Sequence, residues 1–316
     1  MHQPHRLLFG TSRAMRRILD QCERYAAIRN PVLILGEPGT GKTLLAEHLH
    51  RLSGRPGRLV KESAPHVPEH LEISHLCGHA RGTFTGAERD RPGLIEAAHR
   101  GTFFLDELGD ASVRVQQILR QLLEDGSIRR VGEDRDRPVD VRFIAATNAD
   151  LEGMVRSGAF RRDLLDRFGF LKIRMPRLAD RRDEILPLLD FFFQRETKAL
   201  GLSERPVLSP AVRACLTAAP WTGNIRELEA LSVYLIVHAE PGRPIELVDL
   251  PAEFLASMGD VLQRAHEDSR AALRARDALE RADGNKSAAA RLLGISRTQF
   301  YRLLADLRAL GEGGGV

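Results

Sequence analysis

The chain has 316 residues, 43% hydrophobic and 28% charged, with a formal net charge of +4. This length accommodates a nucleotide-binding core plus one or two small modules, and the composition is that of a soluble globular protein. No run approaches about 18 apolar residues, which excludes a membrane-spanning helix. A charge of +4 is too small to name a partner by itself.

The first residues carry Arg6, Arg13, Arg16 and Arg17, but Asp20 and Glu23 interrupt them and no apolar targeting segment follows. Met15, Ile18, Cys22 and Tyr25 recur at helical spacing instead, with Ser12 placed as an N-cap. The three cysteines, Cys22, Cys77 and Cys215, form no C-x-x-C pair. They read as buried or incidental thiols in a reducing cytoplasm.

An apolar strand, Val32-Leu33-Ile34-Leu35, runs into Gly36-Glu37-Pro38-Gly39-Thr40-Gly41-Lys42-Thr43, and a helical pattern follows from Leu44 to Leu49. This is a complete G-x-x-x-x-G-K-T phosphate loop in the strand-to-helix context it needs. There the backbone N–H groups and the helix N-terminus point at a polyphosphate. Lys42 is placed to reach the β- and γ-phosphates, and the Thr43 hydroxyl to join a Mg²⁺ shell. The expected ligand is therefore ATP or a related nucleoside triphosphate with Mg²⁺.

A second apolar strand, Thr102 to Leu105, ends in Asp106-Glu107, the Walker B pattern. Asp106 is expected to hold Mg²⁺ through water and Glu107 to polarise the attacking water. After a helix marked by Val115, Ile118, Leu119, Leu122 and Leu123 and stopped near Gly126, a third strand over 141–146 ends in Thr147-Asn148. A polar pair at that strand end either satisfies a turn or senses the γ-phosphate; convergence of three strand ends on one site favours the sensor. Strands alternating with helices indicate an α/β fold with a mostly parallel sheet covered on both faces. Arg161, Arg162 and Arg167 follow. They either decorate a charged helix or include arginine fingers for a neighbouring subunit's nucleotide, and spacing does not separate the two.

Beyond Pro251 the composition becomes polar over about 252–272. Two short helical patterns then flank Gly294, with alanines 288–290 where their axes would cross. These features describe a helix-turn-helix, and Ser296 is placed to cap its second helix. Phe300 and Leu303 point inward, leaving Arg297, Thr298, Gln299, Tyr301 and Arg302 mostly free to face DNA bases. Lys286, Ser287 and Arg291 suit phosphate contacts. The competing reading is an α-hairpin that packs on the ATPase.

The order of these motifs resembles the AAA+ domain of bacterial enhancer-binding proteins, which activate sigma-54 RNA polymerase. Gly78-His79-Ala80-Arg81-Gly82-Thr83-Phe84-Thr85-Gly86-Ala87 is similar to the family's G-H-x-x-G-A-F-T-G-A segment, a surface loop that contacts sigma-54. The resemblance implies that Gly82, Thr83, Phe84, Thr85, Gly86 and Ala87 form that loop, with Phe84 and Thr85 engaging the sigma factor. It also implies that Arg161 and Arg167 are arginine fingers. Trp221-Thr222-Gly223-Asn224-Ile225-Arg226-Glu227-Leu228 resembles the family's W-P-G-N-x-R-E-L string, which makes Arg226 a second sensor in a helical lid. The C-terminal segment resembles the Fis-type helix-turn-helix, which binds double-stranded DNA as a dimer.

The resemblance covers about residues 7–240 and has departures. Thr83 stands where the family usually has Ala, Thr222 where it has Pro, and Thr43 where many relatives have Glu. Ser63 lies where the family has an Asn that partners the catalytic Glu. No receiver or ligand-sensing domain precedes residue 7, so control is expected from a partner protein in trans, from expression level, or not at all.

The resulting expectation is an AAA+ α/β subdomain over 1–175 and a helical lid over 176–245. A linker over 246–272, a helix-turn-helix over 273–310 and a flexible tail over 311–316 complete it. The protein would work as a ring, a hexamer, in the cytoplasm, with sigma-54 RNA polymerase and upstream DNA as partners and no membrane. Thr83 and Ser63 motivate two alternatives: a DNA-binding regulator uncoupled from sigma-54, and a AAA+ remodeller of another protein.

Overall fold

The computed structural model describes residues 12–66, 71–84, 87–202, 204–240, 242–259, 278–279, 282, 285–293, 295–296 and 299–300. Its contacts divide the chain into two units, Met1–Leu208 with Trp221–Pro244, and Ser209–Pro220 with Ile245–Val316. In chain order the elements begin with α1 (Arg13–Ala26), β1 (Val32–Leu35), α2 (Lys42–Leu52), β2 (Leu59–Ser63) and α3 (Glu72–Cys77). Next come β3 (Gly78–His79), β4 (Arg91–Pro92), α4 (Leu94–Ala97), β5 (Thr102–Asp106) and α5 (Val113–Asp125). Then follow β6 (Ser127–Ile128), β7 (Arg137–Pro138), β8 (Arg142–Thr147), α6 (Leu151–Ser157), α7 (Arg162–Arg167) and β9 (Lys172–Arg174). The remaining helices are α8 (Ile185–Ala199), α9 (Pro210–Ala218), α10 (Asn224–His238), α11 (Ala252–Ser257) and α12 (Lys286–Leu292).

The first unit is built on a five-stranded sheet in the order β2-β5-β8-β1-β9, and every pairing within it is parallel. Successive side chains of a strand face opposite sides. Leu33, Phe103, Leu105, Phe143 and Ala145 enter one apolar cluster, with Leu119 and Leu164. Ile34, Phe104, Ile144 and Ala146 enter another, with Met15, Leu45 and Leu49. Both faces are covered, so the strands read as continuous apolar runs rather than alternating ones. Each fully buried Phe of these clusters contributes roughly 1.5–3 kcal/mol of transfer free energy.

The helix ends follow sequence chemistry. Ser12 accepts a hydrogen bond from Met15 N at the start of α1, and Ser112 accepts one from Val115 N at the start of α5. Gly126 stops α5 in the left-handed region at φ 63°. The three thiols are buried. Desolvation pushes Cys22 and Cys77 up to about 12 and raises Cys215, so none is a ready nucleophile.

In the second unit, Ser209 caps α9 and Pro210 sits in its first turn, where a missing N–H costs nothing. Residues 247–249 make a 3-10 turn closed by a reciprocal capping box between Glu246 and Asp249. Helix α11 buries Phe254. Asn285 caps α12 through Ser287 N and Ala288 N, and Ala289 and Ala290 pack with Ala278 and the fully buried Phe300. Leu303 lies outside the described residues. No helix among the described residues is long and apolar enough to cross a membrane.

Candidate nucleotide site and its surroundings

The reversal of strand order places the carboxyl ends of β5, β8 and β1 side by side, where open α/β sheets bind ligands. The phosphate loop leaves β1 there. Gly41 occupies the N-cap of α2 at φ 98°, a conformation closed to ordinary side chains, and no side chain caps that helix end. Gly39 is also left-handed, and a Cβ on it would lie 2.3 Å from the Gly223 carbonyl oxygen. The loop therefore approaches the turn before α10 too closely for any residue with a side chain.

Lys42 is almost buried, and its Nζ donates to the Gly36 and Glu37 carbonyl oxygens at 2.9 and 3.2 Å. The Thr43 hydroxyl donates to Asp106 Oδ2 at 3.1 Å. A hydroxyl and a carboxylate held together beside a phosphate loop suit Mg²⁺, a hard cation that keeps most of its waters and takes oxygen ligands. Lys42, Thr43, Asp106, Glu107 and Arg226 all line one cavity of ≈ 290 Å³ with Phe192.

Glu107 stands in the left-handed region at φ 51°, ψ 48°, unusual for a residue with a side chain and costing about 1–2 kcal/mol. Its carboxyl is raised above the ordinary value, chiefly by desolvation and further by Asp106 and Asp110, against the opposing pull of Lys42 and Arg226. A strained backbone and a perturbed acid at one position mark a functional site.

Thr147 is buried at the end of β8, and its hydroxyl accepts a hydrogen bond from Ala149 N at 3.0 Å. This is the turn geometry allowed for that pair. Asn148 is exposed, and it does not line the cavity. Arg161 and Arg167 also lie away from the cavity. Arg161 pairs with Asp163 at 2.7 Å and Arg167 with Glu124 at 2.9 Å, each arginine about 40% exposed.

Several residues that seat the phosphate loop were given no role by the sequence reading. Asn224, at φ 56°, donates through Nδ2 to Glu37 Oε2 and the Pro38 carbonyl, while its Oδ1 accepts from Leu178 N. Ile225 N donates to the Gly39 carbonyl at 3.0 Å. Arg181 donates to the Thr40 carbonyl at 3.2 Å and to Glu184 Oε2 at 3.1 Å, the pair being fully buried. Glu184 Oε1 in turn accepts from Ser12 N. Losing one member of such a pair costs about 3–5 kcal/mol because the other charge stays buried. These bonds fasten the phosphate loop to α10 and to the segment before α8. Asn224 was visible in the Trp221–Leu228 string, but Arg181 and Glu184 sit in a charged run that looks solvated.

The segment between β3 and β4 is a loop on a two-stranded antiparallel stem, braced against the β6–β7 hairpin by Ala80 N to the Val131 carbonyl and Val131 N to the Gly78 carbonyl. The Thr83 hydroxyl donates to the Ala80 carbonyl at 2.9 Å. Its methyl fills the place of a Gly132 side chain, a Cβ there falling 1.9 Å from Thr83 Cγ2. Phe84 is 40% exposed and meets the His79 ring edge-on at 4.8 Å, Gly82 N donates to the Ala87 carbonyl, and Ala87 is buried. Thr85 and Gly86 lie outside the described residues. Ser63 ends β2 in register with Asp106, and its N–H donates to Glu62 Oε1.

In the C-terminal segment the structure shows a local bond at one of the expected DNA-contact residues. The Gln299 amide oxygen accepts from Ser296 N and from the Ser296 hydroxyl. Ser296 Oγ accepts from Gln299 N in return, the reciprocal pattern of a capping box. Lys286 and Arg291 are exposed and Ser287 is half-buried. Arg297, Thr298, Tyr301 and Arg302 lie outside the described residues.

Comparison with known proteins agrees with this arrangement. Residues 8–174 match the sigma-54 interaction domain, 179–266 the AAA+ ATPase lid domain, and 276–306 the bacterial regulatory protein Fis family. The chain is 38% identical over 331 residues to nitric oxide reductase transcription regulator NorR2 of Cupriavidus necator, covering 95% of this chain and 63% of that protein. It is 36% identical over 329 residues to DNA-binding transcriptional regulator NtrC of Escherichia coli, covering 95% and 70%. Among solved structures, NtrX from Brucella abortus in complex with ATP aligns with a TM-score of 0.71 at 30% identity, covering 94% of this chain and 68% of that one. The chain thus spans about two thirds of the length of these relatives. On the match over 8–174 and the identities to NorR2 and NtrC, the chain belongs to the sigma-54 interaction domain family of AAA+ proteins.

Proposed function

We propose that this protein is an ATP-hydrolysing, sigma-54-dependent transcription activator that binds double-stranded DNA upstream of its promoters. The observation that carries the reading is the meeting of Lys42, Thr43, Asp106, Glu107 and Arg226 in one cavity at the carboxyl edge of the sheet. Residues Gly36 to Thr43 would cradle the triphosphate, with Lys42 turning from the loop carbonyls to the β- and γ-phosphates. Mg²⁺, when bound beside Thr43 and Asp106, would neutralise phosphate charge. Glu107 would accept a hydrogen bond from the attacking water and then its proton as the water oxygen bonds to the γ-phosphorus and the bridging P–O bond breaks, releasing ADP and inorganic phosphate. Thr147 and Asn148 would report the γ-phosphate, and Arg226 would report it to α10.

Arg161 and Arg167 would act in a neighbouring subunit of a ring, a hexamer. Their present partners do not oppose this, since exposed ion pairs contribute only about 0–1 kcal/mol each. A finger supplied in trans accelerates phosphoryl transfer by about 10³–10⁵. The Gly82–Ala87 loop would transmit hydrolysis to sigma-54 polymerase. Residues 1–175, 176–245 and 273–310 would be the nucleotide, lid and DNA-binding modules, joined by 246–272 and followed by a tail over 311–316. Lys286, Ser287, Arg291, Arg297, Thr298, Tyr301 and Arg302 would contact DNA, and Ser296 and Gln299 would hold the recognition helix in shape. A regulatory protein in trans would set the output.

The loop assignment has a direct test. Thr85→Ala is expected to leave ATP turnover within about twofold while removing open-complex formation, because the Gly82–Ala87 loop would act on sigma-54 and none of its described residues lines the nucleotide cavity. Open complexes formed at the parental rate would overturn the assignment. The second reading, an ATPase uncoupled from sigma-54, is favoured by one observation: Thr83 pins the loop through Ala80 and fills the space over Gly132. It predicts turnover without open complexes even in the parent protein.

A further inference from the structure

The amino-terminal ends of β1, β5 and β8 face away from the phosphate loop, and beside them lies a second cavity of ≈ 320 Å³. Arg29, Arg55, Arg100 and Arg142 line it, with Asp140 as the one carboxylate. Arg142 to Thr147 spans β8, so this cavity lies about 16 Å from the nucleotide site along an extended strand.

Two of the four guanidinium groups have structural work. Arg55 donates from Nε to the Gly101 carbonyl at 2.7 Å and from Nη2 to Asp140 Oδ1 at 2.6 Å. Arg142, 1% exposed, donates to the Ala26 and Tyr25 carbonyls at the end of α1, and its buried Nε has no partner. Among the described residues no carboxylate pairs with it. Arg29 and Arg100 are exposed, and neither guanidinium enters the hydrogen bonds or the ion pair of the described residues around the cavity, although Arg29 acts through space on Asp140.

The charge does not cancel. Four guanidiniums stand against Asp140 and the carboxyl ends of α1 and α2, each worth about half a negative charge, which leaves an excess of about two positive charges. His50, which bonds Thr102 Oγ1 at 2.8 Å, registers this field: burial first, then Arg142 and Arg55, hold its imidazole below the usual range. Arg142 holds the end of α1, and Arg55 holds Gly101 and Asp140, whose carboxyl Arg55 and, more weakly, Arg29 keep below the usual range. This leaves the Arg29 and Arg100 guanidinium groups without a hydrogen-bond partner among the described residues.

We propose that this cavity binds the phosphate group of a small anion, with Arg29 and Arg100 closing on it and Arg55 and Arg142 supplying the fixed field. The volume admits a phosphate or diphosphate group, and guanidinium forks match phosphate oxygens in pairs. The site is independent of the function proposed above and shares no lining residue with the nucleotide cavity.

Calorimetric titration of pyrophosphate into the full chain carrying Lys42→Ala tests it, because that substitution silences the phosphate loop. Saturable binding is expected, at least about tenfold weaker when Arg29→Gln and Arg100→Gln are added. Arg29→Gln alone should weaken it severalfold, and Arg29→Lys should retain more of it than Arg29→Gln. The Arg29→Gln/Arg100→Gln protein with Lys42 intact should keep its ATP affinity, which establishes that it folds. Inorganic phosphate and glycerol phosphate separate the sources: equal affinity identifies a free phosphate site, and tighter glycerol phosphate identifies an esterified ligand. No saturable pyrophosphate binding to the Lys42→Ala protein, or an affinity unchanged by the two glutamines, would overturn the proposal.

Discussion

Lys42→Ala is expected to weaken ATP binding by about 10²-fold or more while leaving the thermal midpoint close to that of the parent. The magnitude follows from position. The ammonium is almost buried in the folded protein and bonds only loop carbonyls, Gly36 and Glu37. Truncating one partner of a buried, hydrogen-bonded charge pair costs about 2–5 kcal/mol, and the phosphates would lose the one side-chain cation of the loop. The fold depends on it far less, because the apolar contacts of α2 come from Leu45, Ala46 and Leu49. Equilibrium binding of a fluorescent ATP analogue reads the loss directly. An affinity within about threefold of the parent would show that Lys42 does not carry the triphosphate.

Glu107→Ala should have the opposite pattern: ATP binding within a fewfold of the parent and turnover reduced by about 10²–10⁴, the range of a positioned general base. The acid limb of turnover gives an independent readout. Glu107 works as the carboxylate, and desolvation, with Asp106 and Asp110, raises its pKa above the ordinary 4.5. Protonation as pH falls through that raised value removes activity, so the parent should lose turnover at a pH above 4.5. The residual activity of the variant should lack that limb. A variant that hydrolyses ATP at the parental rate, or a parental acid limb that survives the substitution, would remove Glu107 from the chemistry.

The nucleotide core was legible because its signals are local. A phosphate loop must follow a strand and open a helix, and both faces of a covered parallel sheet must be apolar, so Val32–Leu35, Thr102–Asp106 and Arg142–Thr147 declare themselves. The bonds that seat the loop were not legible. Arg181 and Glu184 lie within a run of charges, and only folding shows that this pair is buried against Thr40 while Arg177 and Asp180 stay exposed. The strain at Glu107 is a backbone property with no signature in residue type. Gln299 shows the converse case: the residue type suits an adenine edge, and its spacing from Ser296 also makes a capping box, a local bond that residue type alone does not reveal. The basic cavity was invisible for a third reason, since Arg29, Arg55, Arg100 and Arg142 come from four separate segments.

The central claim joins nucleotide hydrolysis to a sigma-54 target, and one measurement addresses both ends. Purified sigma-54 RNA polymerase on promoter DNA would be assayed for open-complex formation with and without this protein, following ATP turnover in the same reaction. The account predicts open complexes that require the protein and hydrolysable ATP and that disappear with Glu107→Ala. Brisk turnover with no open complexes would contradict it and move the protein to the uncoupled reading that Thr83 favours.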